Sequence, residues 1–329
     1  MLRPRPNINK LAHCVHGGID YAELKNLGIS PEAILDFSIS CNPFGPPPDI
    51  KEALANVSIE CYPDSNASEL KQLLAEKLNI ATDNLIIGSG SSELIRLVAI
   101  AYFGPGDLVL IPQPTYGEYE IACHIVDAQI LKQPVLGEPN FHLDTGEITD
   151  VIEKYRPKGI FLCNPNNPTG QYMTKEKVEN IMSITSSRLF ILDEAYIAFT
   201  ENAWTSLDLV DRGNLVILRS MTKDYALAGL RLGYAIAAKQ VISVLKRVCP
   251  PWNVNAIAQK AGINALNADS YLEECNTKIR EARGFLIKEL EHLGLSPLSS
   301  QTNFFLVKVG NATKFRQELL KRGFLVRDC

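Results

Sequence analysis

IIGSGSSELI, residues Ile86 to Ile95, reads as an apolar strand that runs into Gly88-Ser89-Gly90 and then into a helix opening at Ser91 or Ser92. Glycines let the backbone come close to a ligand, and the first free N–H groups of the helix make an anion cup. The same turn is common in α/β proteins that bind nothing there, so by itself it argues for architecture rather than ligand. It is neither GxGxxG with a downstream acid nor GxxxxGK[ST], which excludes dinucleotide-binding and P-loop chemistry. Working outward, short apolar runs that end in Gly, Pro, Asn or Asp recur at Asn84–Gly88, Leu108–Pro112, Gly159–Cys163, Leu189–Leu192, Leu215–Arg219 and Leu232–Ala237. Near-continuous apolar strands of this kind belong to a mostly parallel sheet buried on both faces. Helical periodicity fills the intervals Ala67–Leu78, Ser92–Tyr102, Lys175–Ser183 and Val241–Val248. The fold class is α/β, with helices flanking a central sheet.

The ends read differently. Asn42–Pro48 (NPFGPPP) can be neither helix nor central strand, because its prolines lack donors and fix φ. Residues 1–48 are therefore expected to form an N-terminal arm, 49–250 a large domain and 251–329 a smaller α+β domain. In the last, a long helical tract Asn255–Leu293 precedes a strand Asn303–Val309, a helix Thr313–Lys321 and a short strand from Phe324. A net charge of −4 offers no basic face for nucleic acid. The five histidines form no HExxH pair, and the eight cysteines form no CxxC, so no metal site is expected and the thiols read as reduced. Leu97–Phe103 is the longest wholly apolar stretch, far short of a membrane span, and no secretory leader is recognisable. The expectation is a soluble cytoplasmic protein with no membrane or nucleic-acid partner.

Four segments carry chemistry besides architecture. In LRSMTKDYALAGLRLGY (Leu218–Tyr234), Lys223 follows a buried strand among Ser220 and Thr222, with Arg231 eight residues on. Burial lowers a lysine's pKa and makes it nucleophilic towards carbonyls, and the hydroxyls and guanidinium suit a phosphate. The plainer alternative is a pair of cations flanking a loop. In FILDEAYIAF (Phe190–Phe199), Asp193 lies at the C-terminal end of a strand, where open α/β sheets place ligands. A protonated pyridine nitrogen would give this carboxylate a partner, and Tyr196 could share the pocket; a helix N-cap with a packed tyrosine is the alternative. CNPNNPTG (Cys163–Gly170) makes a rigid loop at another strand end and offers Asn167 as donor and acceptor. With the glycine turn, these converge on a phosphorylated, pyridine-containing aldehyde that condenses with a lysine.

The ordered set GSGSSE, PTYGEY, NPNNPTG, DEAY, SMTK and GLRLGY resembles the fold-type I pyridoxal-phosphate enzymes of the class I/II aminotransferase superfamily, from about Asp36 onwards. The resemblance implies a pyridoxal 5'-phosphate cofactor with Lys223 as the condensing lysine and Asp193 as partner of the ring nitrogen. It places Asn167 and Tyr196 on the phenolic oxygen and Tyr116 on the ring face. Gly90, Ser91, Ser220, Thr222 and Arg231 would hold the phosphate. Tyr62 would reach the phosphate of a neighbouring subunit in a homodimer with shared sites.

Two branches are similar. His16-Gly17-Gly18, LDFS into CNPFGPP, and PWNVNAIA (Pro251–Ala258) resemble the threonine-phosphate decarboxylases of the cobalamin pathway more than the histidinol-phosphate aminotransferases. The expected function is thus decarboxylation of a small O-phosphorylated amino acid, with His16, Gly17, Ser40 and Asn167 at the substrate. Ser40 stands where decarboxylases carry Asn, which brings in phosphoserine beside phosphothreonine as the expected substrate. The alternatives are transamination of histidinol phosphate and a cofactor-binding protein of little turnover. Both branches carry carboxylate-binding arginines beyond the point where this chain stops, at Cys329, so the small domain is expected to be truncated or to hold the carboxylate otherwise. Arg327 is a poor positional match for those arginines.

Overall fold

A computed structural model describes residues 2–9, 11, 16–135, 140–268 and 270–329. Cys14 lies outside them. The strands among these residues are β1 (Leu35–Asp36), β2 (Leu85–Gly88), β3 (Leu108–Gln113), β4 (Gln129–Pro134), β5 (Gly159–Cys163), β6 (Leu189–Asp193), β7 (Leu215–Ser220), β8 (Gly233–Ala237) and β9 (Phe324–Leu325). β2 to β8 form one sheet in the order β2-β8-β7-β6-β5-β3-β4. All its pairings are parallel except those of β8, which runs antiparallel to both β2 and β7. The α/β class with a mostly parallel, helix-flanked sheet is as the apolar runs require.

Alternate residues of each central strand enter opposite cores, because successive side chains point to opposite faces. Ile160, Leu162, Phe190, Leu192, Leu215 and Ile217 join one core with Leu70 and Leu74 of the helix Ser68–Leu78 and with Val178 and Ile181 of Lys175–Ser183. Phe161, Ile191, Val216 and Leu218 join the other, under the helices Ser91–Tyr102, Glu118–Ile125 and Lys239–Val248. Close packing at Gly159 shows how tight the second layer is, since a Cβ there would stand 2.2 Å from the Phe103 ring. The edge strand β4 is half exposed and was not foreseen. Nor was the helix Thr145–Tyr155, capped by Asp144 accepting from the Glu147 N–H.

Two expectations near the C-terminus are corrected. The tract Asn255–Leu293 is two helices, Ala256–Leu266 and Tyr271–His292; Asn267, at the end of the first, donates its N–H to three carbonyls of that helix. Asn303–Val309 is not a strand; it contributes a single bridge, Pro297 to Val307. Its polar groups are used elsewhere: the Asn303 amide donates to the Ser40 and Cys41 carbonyls, and the Arg283 guanidinium to the Thr302 carbonyl. The helix Ala312–Leu320 then leads into β9, which pairs parallel with β1. Leu24, Leu320 and Leu325 make a small core there, and Arg316 grips Glu23 bidentately at 2.8 and 2.7 Å. No helix among the described residues is long and apolar enough to cross a membrane.

Candidate active site

Five strands, β2, β3, β5, β6 and β7, deliver their C-terminal ends to one rim of the sheet, and a cavity of about 430 Å³ opens there. Asp193, the last residue of β6, is 2% exposed. It accepts from the Tyr119 hydroxyl at 2.7 Å and from the Ala195 N–H at 2.9 Å. Burial outweighs these two donors and pushes its carboxyl up to about 6. A buried carboxylate with two neutral donors and no ion pair among the described residues is short of a cation. Lys223, past the end of β7, also lines the cavity, with its Nζ 5.9 Å from the centre of the Tyr196 ring. Burial lowers its pKa; Cys41 opposes this slightly, and Arg231 and Arg327 add to it.

The walls are held by loop-to-loop bonds. Asn164, directly after β5, accepts from the Met173 N–H at 2.7 Å and donates its own N–H to the Asp193 carbonyl at 2.8 Å. Asn166 donates to the Pro114 carbonyl and accepts from Thr115, tying the loop after β5 to the one after β3. Between them Asn167 and Tyr116 are set on the cavity wall. Tyr116 stands edge-on to Tyr119 at 5.6 Å, and Tyr119 stacks on Phe161 at 4.8 Å. Tyr196 lines the cavity too, beside Ser40 and braced edge-on by Phe304.

The glycine turn after β2 leads into a helix at Ser91, where the sequence places its start. Gly90 has φ +80, and a Cβ on it would come within 2.9 Å of the Arg231 Nη2. Only a residue without a side chain lets that guanidinium lie over the start of the helix. Ser91, Thr222 and Arg231 line the cavity. Gly90 and Ser220 stand just behind, the latter with its Oγ 2.7 Å from the Thr222 Oγ1. The donor set therefore fits a phosphorylated pyridine aldehyde at each end: hydroxyls, helix N–H groups and a guanidinium for the phosphate, a cation-hungry carboxylate for the ring nitrogen, and a lysine of lowered pKa between them.

His16, Gly17 and Ser40 also reach the cavity, but the His16 Nε2 is 3.0 Å from Glu118 Oε1. Tyr62 lies away from the cavity of its own chain, 78% exposed and stacked on Trp252 at 4.4 Å. Among the lining residues that had not been foreseen are Arg96, Glu118, Tyr119 and Arg327. Tyr119 and Glu118 sit in the same PTYGEY segment as Tyr116, and Arg96 follows Ser92 by four residues on one helix face. Arg327, a poor positional match for the family's arginines, lines the cavity two residues past β9.

A family model for class I and II aminotransferases matches residues 32–329. A histidinol-phosphate aminotransferase of Thermoanaerobacter sp. (strain X514) is 38% identical over 282 residues, 85% of this chain and 79% of the relative. A solved histidinol-phosphate aminotransferase of Clostridium acetobutylicum is 31% identical with a TM-score of 0.80, covering 90% of each chain. The enzyme of that name from Sinorhizobium meliloti, solved in complex with pyridoxal-5'-phosphate, shares the fold at 24% identity, with a TM-score of 0.89 over 99% of this chain and 89% of that one. The decarboxylase expectation is overturned. Relatives at 33–38% identity over most of the chain bear the aminotransferase name, whereas the L-threonine-O-3-phosphate decarboxylase of Porphyromonas gingivalis is a neighbour at 25%. The arm motifs that suggested it have structural employment: Asn42 bonds the Lys223 and Asp224 carbonyls, Ser38 receives the Gly18 N–H, and His16 meets Glu118.

Proposed function

The chain belongs to the class I and II aminotransferases, and from that premise we propose that it transfers the amino group of histidinol phosphate to 2-oxoglutarate. The cofactor is pyridoxal 5'-phosphate, which when bound supplies an electrophilic aldehyde and a ring that withdraws electrons from the reacting carbon. The residues of this chain do the rest. Ser91, Thr222 and Arg231 anchor the cofactor phosphate at the helix start, and Tyr116 covers the ring face. Asp193 keeps the ring nitrogen protonated, in which form the pair neutralises an otherwise costly buried charge. Lys223, with its pKa lowered by burial, has more unprotonated amine at neutral pH than a surface lysine. That Nζ takes the proton from the substrate's reacting carbon and returns one during the second half of the exchange.

The observation that carries the substrate class is Arg327. Arg327, two residues past β9, lines the cavity together with Lys223. A guanidinium there is suited to a doubly charged phosphate, by bidentate bonds. The exposed Tyr62–Trp252 stack, remote from its own cavity, supports a homodimer in which Tyr62 completes the neighbour's phosphate cup. The test is incubation with histidinol phosphate and 2-oxoglutarate, with glutamate formation as readout. Glutamate is expected, and Arg327→Ala should raise the KM for histidinol phosphate by about tenfold or more. Absence of glutamate with steady CO2 release from phosphothreonine would overturn the proposal.

A further inference from the structure

Glu118 has 8% exposure on the cavity wall, and none of the roles assigned above uses it. Its two oxygens meet a histidine and an arginine, His16 Nε2 at 3.0 Å and Arg96 Nη2 at 3.4 Å. The contact with His16 is the start of a run of bonds. Gly17 follows, at a place where a Cβ would stand 2.0 Å from the Ser38 carbonyl oxygen. Gly18 donates its N–H to Ser38 Oγ at 2.7 Å, and Ser38 donates to Asp36 Oδ1 from its hydroxyl at 2.6 Å and its N–H at 2.7 Å. Asp36 is in β1, in register with Leu325 of β9, and the Phe37 N–H bonds the Leu325 carbonyl at 2.7 Å. Two residues later comes Arg327.

A ladder of two residues on each side has no stability of its own. The placement of β9 relative to the large sheet therefore depends on whatever pins β1. The stretch 16–42 is pinned at both ends to the large body: His16 on Glu118, and the Asn42 N–H on the Lys223 carbonyl at 2.7 Å. β1 is slung between those pins. We propose that Glu118 is a positioning residue, which through His16 and this strap fixes where the Arg327 guanidinium stands in the cavity and so sets the affinity for the substrate's phosphate. The proposal rests on the reading of Arg327 as the phosphate partner.

The experiment uses the cofactor-loaded full chain and inorganic phosphate as the probe, titrated calorimetrically, with the KM for histidinol phosphate measured alongside. Glu118→Gln keeps the shape and removes the charge; His16→Ala removes the link; Gly17→Ala breaks the strap at its closest approach. Each should raise the phosphate dissociation constant by about tenfold, the loss of one well-aimed charge-assisted bond, with the cofactor's visible band unchanged as the sign of an intact pocket. In an Arg327→Ala background the same three changes should have no further effect, since nothing is left to position. A full additional factor in that background overturns the proposal, because His16 and Glu118 would then act on the ligand themselves. Phosphate binding that depends on Arg327 and not on Glu118 overturns the strap alone. Binding indifferent to Arg327 overturns the reading beneath it as well.

Discussion

Removing one oxygen atom from Tyr119 should make cofactor capture sensitive to pH in a range where the parent protein is not. The Tyr119 hydroxyl donates to Asp193 Oδ2 at 2.7 Å, one of two bonds that oppose the burial of that carboxylate. A hydrogen bond to a charged group contributes roughly 1.5–3 kcal/mol, and each 1.36 kcal/mol is about a tenfold change in acidity. Tyr119→Phe should then move the Asp193 midpoint in the cofactor-free protein from about 6 to roughly 7–8. Below its midpoint the carboxyl must give up a proton before it can pair with the ring nitrogen. At pH 6.5 the variant should bind pyridoxal 5'-phosphate about tenfold more weakly than the parent, and at pH 9 the two should converge. The measurement is the ratio of dissociation constants, by fluorescence or absorbance titration, across pH 6–9. Titration of the cofactor's own groups cancels in that ratio. A ratio that stays flat across the range would refute the claim that Tyr119 keeps Asp193 ionised.

Lys223→Ala should leave a folded protein whose visible band is lost, while borohydride treatment of the parent should leave the cofactor's mass on the peptide containing Lys223, read by mass spectrometry. Gly90→Ala should weaken cofactor retention by about tenfold or more, as the new Cβ meets the Arg231 guanidinium at 2.9 Å and φ +80 is unfavourable to any side chain; dialysis against buffer followed by absorbance reads it. Asp193→Asn should lower turnover by on the order of a hundredfold. The same variant should stabilise the cofactor-free chain: a carboxyl raised to about 6 on folding favours the native state most at pH below about 4 and loses that advantage as the pH rises through 6. At pH 7 the loss is about 3 kcal/mol, so the Asn variant should melt higher than the parent at pH 7 without cofactor and show no such gain near pH 4.

What could be read from the chain follows from how local each signal is. β5 and the helix Lys175–Ser183 were legible to their last residues, because a strand covered on both faces is apolar throughout and the helix is announced by its Thr174 cap. β4 was not, because an edge strand mixes polar residues into its run, and Lys132 there is paired with Glu120. The helix Thr145–Tyr155 had a legible start in Asp144 and Glu147 that a search for long apolar runs passes over. In the site, Lys223, Asp193 and Arg231 each sit just past an apolar strand or in a glycine-flanked segment, so spacing within a few residues exposes them. Tyr119 and Arg327 acquire meaning only from partners far away in the chain. The bond of Tyr119 to Asp193 spans 74 residues, and Arg327 lines the same cavity as Lys223 from a segment placed by the pairing of β9 with β1.

The pairing of β1 with β9 also bears on the order of events during biosynthesis. Leu35 and Asp36 leave the ribosome nearly three hundred residues ahead of Phe324 and Leu325, their ladder partners. At about 5–20 residues per second the earlier strand waits roughly a quarter of a minute to a minute for the later one. During that interval Leu24 lacks both Leu320 and Leu325, the other buried residues of its core. The large sheet, whose strands all lie between residues 85 and 237, is complete well before then. Once everything up to Ala237 has left the ribosome, the chain is therefore expected to hold a finished sheet with the arm already tied at His16 and Asn42, while β1 and the Leu24 face between those ties stay uncovered, exposed to proteases and to chaperones that bind extended apolar segments.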